Sequence, residues 1–403
     1  MVPSVATGTV QSNVPPHPPR LLTLTLLSAL SALTLNAIIP SLPAMSRDLA
    51  ARESVVALAI SGYMLVSALF QLALGPVSDR IGRRPVVLSA MAVYVVASAG
   101  CMLAQDVTAL LAFRALQGVV VAGTVMSTAM IRDHYSMRES AGKLGAISSA
   151  MAVAPMLGPL LGGLLDSALG WRAVFALYTA FGAAMLALAW ADMGETRRPG
   201  LPPPRLSDWS ALLASPLYWA YVLCITFSVG AFFVFVTGVP YVATAAWGLT
   251  PALVGLGVGS ITGGFILGAA ITARFAMRSR LFRLMLAGRL VATAALLLAL
   301  ALFAFGVSHP MAIFGPAIFV GFGNGLTIAP ANAGAISVRP DLAGTSAGLS
   351  GALVVGLGAL LSWLTAYVIE RDAAPATLVM LMLGCVLLSL AAALAAIRRE
   401  RQA

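Results

Sequence analysis

Few residues in this 403-residue chain could carry chemistry, and they fall into short clusters. The segment Gly75-Pro76-Val77-Ser78-Asp79-Arg80-Ile81-Gly82-Arg83-Arg84-Pro85 sets one carboxylate among three guanidinium groups. Three guanidinium groups in so short a segment suit a tight loop on the positively charged inner face, though that alone would not require Gly, Asp and Gly at these separations. Gly75 and Gly82 predict a tight reversal, and Asp79 is expected near the start of the following helix, where the helix dipole favours a carboxylate. Arg114-Ala115-Leu116-Gln117-Gly118 places a guanidinium inside a run, 107–131, that is otherwise uncharged. A buried arginine in such a run is costly and points to function. Ala154-Pro155-Met156-Leu157-Gly158-Pro159-Leu160-Leu161-Gly162-Gly163 combines two prolines, which bend a helix, with glycines four apart, which let a neighbouring helix come close.

A group able to titrate inside a membrane would usually be a buried carboxylate. None of the fourteen acidic residues falls in the middle of an apolar run. The remaining candidates lie at run ends: Asp133, beside Arg132 and His134; Asp166, just past the glycine cluster; and Glu370. Gly344-Thr345-Ser346-Ala347-Gly348 fits G-x-S-x-G, but a nucleophile elbow needs a strand–turn–helix and a base. The three histidines, His17, His134 and His309, lie in a tail and two loops, so the segment reads as a helix entry. Cys101, Cys224 and Cys385 lack the spacing of a metal site or a disulfide pair. No enzyme, cofactor or metal is expected.

The elements that position these clusters follow from composition. The chain is 60% hydrophobic and 9% charged, against roughly 25% charged in soluble domains. Uncharged runs cover 21–46, 54–78, 85–105, 107–131 (apart from Arg114), 144–165, 173–191, 209–273, 290–338, 342–369 and 373–397. A spanning helix needs about 20 apolar residues. Two runs are long enough for two spans each, breaking at Trp247-Gly248-Leu249-Thr250-Pro251 and Ser308-His309-Pro310. The total is twelve spans in an all-α membrane protein.

With the N-terminus placed inside, 19 Lys and Arg fall on the inner side, Arg289 counted among them in the loop before run 290–338, and 4 on the outer side. That is a positive-inside bias. It puts both termini in the cytoplasm and explains the net charge of +10 without nucleic acid, because the basic residues are scattered over many loops. Residues 1–19 read as a disordered tail. The polar stretch around 192–214 separates two six-helix bundles, 20–191 and 215–397, with a short tail at 398–403. Ser140-Ala141-Gly142-Lys143-Leu144-Gly145-Ala146 and Ser346-Ala347-Gly348-Leu349-Ser350-Gly351-Ala352 share S-A-G-x-x-G-A at an offset of 206 residues, as duplication of a six-helix unit predicts.

The three clusters together resemble signatures of the major facilitator superfamily. The 75–85 segment is similar to G-x-x-x-D-R-x-G-R-R, a loop that latches the inner ends of the two halves. By resemblance Gly75, Asp79, Arg80, Gly82, Arg83 and Arg84 inherit that gating role. Arg114 and Gln117 resemble R-x-x-Q-G of drug:proton antiporters, where the arginine assists proton movement. Pro155, Gly158, Pro159, Gly162 and Gly163 resemble the antiporter motif of exporters. Asn36-Ala37-Ile38-Ile39-Pro40-Ser41-Leu42-Pro43 and Arg132-Asp133 are similar to the bicyclomycin and chloramphenicol resistance subfamily, except that its usual aspartate is here Asn36.

The resemblance implies a major facilitator fold and a monomer in the bacterial inner membrane. It implies export of small amphiphilic compounds in exchange for protons, with a weakly coupled facilitator or nutrient carrier as the alternative. Asp133, favoured because Arg132-Asp133 matches the subfamily, and then Asp166 are expected in proton coupling. Asn36, Tyr63, Phe232 and Phe233 are the expected substrate contacts, with Met64, Phe227, Phe235 and Tyr241 as further wall candidates.

Overall fold

The computed structural model describes residues 19–135, 137–196, 212–275, 281–339 and 343–400. The expected N-terminal tail, save Pro19, and most of the expected 192–214 linker lie outside these residues. The described chain is helical throughout, in twelve membrane-length segments.

Segment α1, Leu21–Asp48, is interrupted by a 3-10 turn at Ile39–Ser41, where Pro40 removes an amide donor. Next come α2, Glu53–Ile81, and α3, Arg83–Leu103. Segment α4 joins Val107–Gln117, a 3-10 turn at Gly118–Val121, and Ala122–His134. It is followed by α5, Met137–Leu169, and α6, Arg172–Asp192. The second half contains α7, Pro216–Trp247; α8, Pro251–Phe275; α9, Leu281–Ala304; α10, Met311–Ser337; α11, Ala343–Ile369; and α12, Pro375–Glu400. Eleven of these carry an apolar stretch long enough to span, and α5 reaches 33 residues with its apolar part at Leu157–Leu169.

The expected breaks between paired spans have local causes. Gly248 takes a left-handed φ of 61° between α7 and α8, a conformation glycine adopts without strain. Gly306, at φ 79°, closes α9. Because α9 ends there, its span must begin upstream of Arg289, which corrects the placement of that residue in a loop. Large apolar side chains such as Leu69, Val96, Leu103, Leu267 and Leu298 point outward, as a lipid-facing surface requires and a water-facing one disfavours.

Two seams join the halves: α5 against α8, and α2 against α11. Within the second half α10 packs closely on α8 and α9. There Gly264 and Gly321 are so near the opposing backbone that an added Cβ would lie 2.0 and 1.9 Å from carbonyl oxygens. The duplicated S-A-G segments occupy matching places. Ser140 and Ser346 each sit in the first turns of α5 and α11, and each donates its hydroxyl to a carbonyl near the end of the preceding helix: Ile131 at 3.3 Å and Ala335 at 3.1 Å. Ser346 is therefore a helix tether, not a nucleophile on an elbow.

Candidate functional site

The charged loop differs from its expected form at two points. Gly75 lies within α2, and only Gly82, at φ 103°, makes the turn. Asp79 ends α2 instead of starting α3. A carboxylate in the last turn of a helix opposes the dipole, and here it is offset by Arg83 four residues on, whose Nη2 is 2.7 Å from Asp79 Oδ1. The same guanidinium donates from Nε to Asp133 Oδ2 at 3.2 Å and from Nη1 to Ser78 Oγ. One arginine thus pins the ends of α2, α3 and α4. Asp133 and Arg83 are 9% and 12% exposed, so this pair is worth more than a surface salt bridge. The orphan amides at the start of α3 go to Glu195 instead: its two oxygens accept the N–H groups of Arg83 at 2.9 Å and Arg84 at 3.2 Å. Arg84 reaches the Trp190 carbonyl at 3.1 Å. Arg80 is exposed on the same end.

Arg114 is fully buried and does not reach an interface. Its Nε donates to Ala59 O, Nη1 to Gln117 Oε1 and Nη2 to Thr34 O, each at 2.8 Å. Thr34 belongs to the last turn before α1 breaks, where carbonyls lack amide partners. Arg114 and the Tyr178 hydroxyl at 3.1 Å supply those donors. Gln117, three residues along the same face, passes the chain on to Ser98 Oγ at 2.7 Å. Tyr63 lies under the guanidinium, its ring centre 4.2 Å from Cζ, so it serves as a cation–π floor. The network ties α1, α2, α3, α4 and α6 together.

The glycine motif works at both faces of α5. A Cβ at Gly162 would lie 1.7 Å from Ala37 O, and one at Gly158 would lie 3.1 Å from Asn36 Cβ. That face holds α1. A Cβ at Gly163 would lie 2.3 Å from Pro251 O, and one at Gly255 of α8 would lie 2.2 Å from Pro159 O. That face holds the other half. Asn36 donates to Ala32 O at 2.7 Å, and its Oδ1 is buried without a partner. Further ties at this end are Ala252 N–H to Ser167 Oγ at 3.2 Å, Ser54 N–H to Glu370 at 3.2 Å, and Arg52 with Glu370 at 3.7 Å.

Among the described residues the end bearing the termini is open by contrast. There α2, α4 and α11 surround a cavity of about 440 Å³, lined by Gln71, Asp79, Arg83, Thr128, Gly348 and Gly351 among others. A Cβ at Gly75, Gly348 or Gly351 would meet nothing within 4 Å.

A family model described as Major Facilitator Superfamily matches residues 24–363. This chain belongs to the Major Facilitator Superfamily. It is 32% identical over 349 residues to a chloramphenicol resistance protein of Pseudomonas aeruginosa, covering 82% of this chain and 81% of that one. It is 32% identical over 352 residues to multidrug resistance protein D of Escherichia coli, with 85% and 87% covered. A bacterial homologue of the human lysosomal transporter Spinster, solved inward-facing and unoccupied, superimposes with a TM-score of 0.75 at 17% identity, covering 94% of this chain and 96% of that one. These relatives are transporters, not enzymes.

As a major facilitator protein the chain is a multi-pass carrier, and its remaining candidates distribute unevenly about the central path. Phe232 lines a cavity of about 140 Å³ between α5, α7, α8 and α10, together with Pro155, Thr262, Phe265 and Asn324. Phe233 is buried against Gly358 of α11, as is Met64. Phe235 packs edge-on against Phe314, and Tyr241 reaches Glu53 O at 3.4 Å. Asp166 is buried at the closed end, its Oδ2 without a partner, among Ser41, Arg47 and Asp48. Glu370, just past α11, is held below the usual carboxylate range by hydrogen bonds from Ser54 first, then by Arg52 and Arg371.

Sequence reasoning missed Arg289. It is fully buried in α9, donating to Thr327 Oγ1 at 2.9 Å and Asn324 Oδ1 at 2.7 Å. The available signal was its neighbourhood: 284–304 is uncharged but for this residue.

Proposed function

We propose that this chain exports small amphiphilic compounds from the cytoplasm by alternating access, exchanging them for protons, as a monomer in a bacterial inner membrane with both termini cytoplasmic. The observation that carries this reading is the asymmetry of the two ends. The halves are sealed where Gly163 of α5 meets Pro251 and Gly255 of α8 meets Pro159, and a cavity opens beside Asp79 and Arg83 at the termini end. With the termini inside, this is the state that loads substrate from the cytoplasm. The relatives named for chloramphenicol and multidrug resistance favour drugs over nutrients as cargo.

For the proton, we favour Asp166 over Asp133. Asp133 is occupied by Arg83 and serves the latch, whereas Asp166 keeps an unpartnered oxygen at the end that faces outside. Arg114 then acts as a fixed cation that organises the first half around the path.

The test is a pair of assays. Expression in an efflux-deficient bacterial host raises tolerance to chloramphenicol or another amphiphile. In inside-out vesicles the same compound accumulates only with an imposed proton gradient. Tolerance with gradient-independent flux would leave the facilitator reading standing, and no tolerance with no flux for a broad compound panel would overturn export.

A further inference from the structure

Two guanidinium groups are fully buried in the spanning region, Arg114 and Arg289, and among the described residues neither has a carboxylate partner. They are not equivalent. Arg114 has a carbonyl or amide oxygen on each of Nε, Nη1 and Nη2, and a tyrosine ring on its face. Arg289 uses Nε and Nη2, and its Nη1 is buried with no hydrogen-bond partner among the described residues. A buried charge left with an open donor is costly unless something arrives to pair with it.

The position of Arg289 indicates what could arrive. Its Nη2 holds Asn324 Oδ1 at 2.7 Å, and Asn324 forms the wall of the 140 Å³ cavity between the halves. The fork is one side chain behind that wall. Asn324 is itself satisfied, accepting from Arg289 and the Ser228 hydroxyl and donating to Ser228 O, but Thr262 Oγ1 in the same wall is buried without a hydrogen bond among the described residues. The remaining lining is apolar and includes Phe232 and Phe265. The volume is close to the roughly 150 Å³ of a cavity that accepts one benzene ring. A guanidinium one side chain behind the wall of a ring-sized apolar space, with a free hydroxyl in that wall, suits an anionic oxygen group on an aromatic ring.

We propose that Arg289, Asn324 and Thr262 form a subsite for an aromatic acid, whose anion pairs with Arg289 when Asn324 turns aside and whose ring lies against Phe232 and Phe265. The proposal rests on the export reading and narrows its cargo: such anions are substrates, and their charge offsets that of Arg289 during passage. The test measures equilibrium binding of radiolabelled benzoate, and of its neutral isostere benzamide, to the full chain in lipid nanodiscs at pH 7.

The wild type is expected to bind benzoate saturably and at least tenfold more tightly than benzamide. Arg289→Gln is expected to erase that preference, and Thr262→Val, nearly equal in volume, to weaken benzoate at least threefold. If Arg289→Gln fails to fold, Thr262→Val decides alone. Absence of saturable benzoate binding, equal affinity for the two probes, or undiminished benzoate binding in the folded variants overturns the proposal. Failure of the export reading looks different: benzoate binds as described, yet no compound moves in vesicles.

Discussion

Placing a methyl group on Gly163 should unlock the sealed end. The added Cβ would lie 2.3 Å from Pro251 O and 2.9 Å from its carbonyl carbon. Both are backbone atoms of the opposite half, so no side chain can rotate away. To reach an ordinary contact of 3.4 Å α5 and α8 must part by about 1 Å, and close-packed interfaces do not absorb that. Overpacking of this kind costs about 1–3 kcal/mol. The cost falls only on the conformation in which the two helices touch, so the closed-to-open ratio at this end should drop by about 5- to 140-fold. The gain in helix propensity, up to about 1 kcal/mol, is shared by both conformations and protects the fold. Gly255→Ala, 2.2 Å from Pro159 O across the same seam, should behave alike. Gly162→Ala strikes Ala37 within its own half and should lower folded yield instead. The assay is a spin-label distance between Gln105 and Ala246, exposed near this end on opposite halves, with the buried Cys101, Cys224 and Cys385 replaced. An unchanged distance distribution in both Gly163→Ala and Gly255→Ala would refute the seam as the closing element.

Arg114→Lys should cut efflux at least tenfold and Arg114→Ala should abolish it, because an ammonium cannot serve three acceptors fixed by a planar fork; full transport by the lysine variant would show that charge alone suffices. In vesicles, Asp166→Asn should remove the dependence of substrate flux on the proton gradient, whereas Asp133→Asn should slow flux and leave that dependence intact; the reverse pattern would return coupling to the Arg83 pair. Glu370 stays ionised at neutral pH, since its folded carboxyl lies below the usual range, so its contribution to the seam is present above the ordinary glutamate pKa of about 4.3 and is lost as pH falls through the lower folded value. Glu370→Gln should therefore widen the Gln105–Ala246 distance at pH 7, and the difference from wild type should vanish only below about pH 4; convergence already at pH 6 would remove Glu370 as an ionic latch.

Span number and order were legible because hydrocarbon thickness imposes a length and because Gly248 and the 308–310 break interrupt it. The glycine motif was legible as a close-approach face, but not that Gly162 and Gly163 address different halves. What did not follow was rotation about each axis. On a helix as uniformly apolar as α7, nothing in the pattern tells Phe232, which lines a cavity, from Phe235, which packs against Phe314. Tyr63 was read as a possible wall and lies beneath Arg114 because the partner's position is set by a different helix. Arg289 was drawn into a loop because a span boundary was placed at the first charge.

The cap that Glu195 places on α3 has a mechanical meaning. The chain leaves the first half not from the free end of α6 but from a staple on the loop that turns at Gly82. A pull on the backbone at Glu195 is delivered to the amides of Arg83 and Arg84 as well as to α6. The chain leaving α6 and the Arg83 cluster therefore share one anchor, the Glu195 carboxylate, which couples a shift of the one to the other.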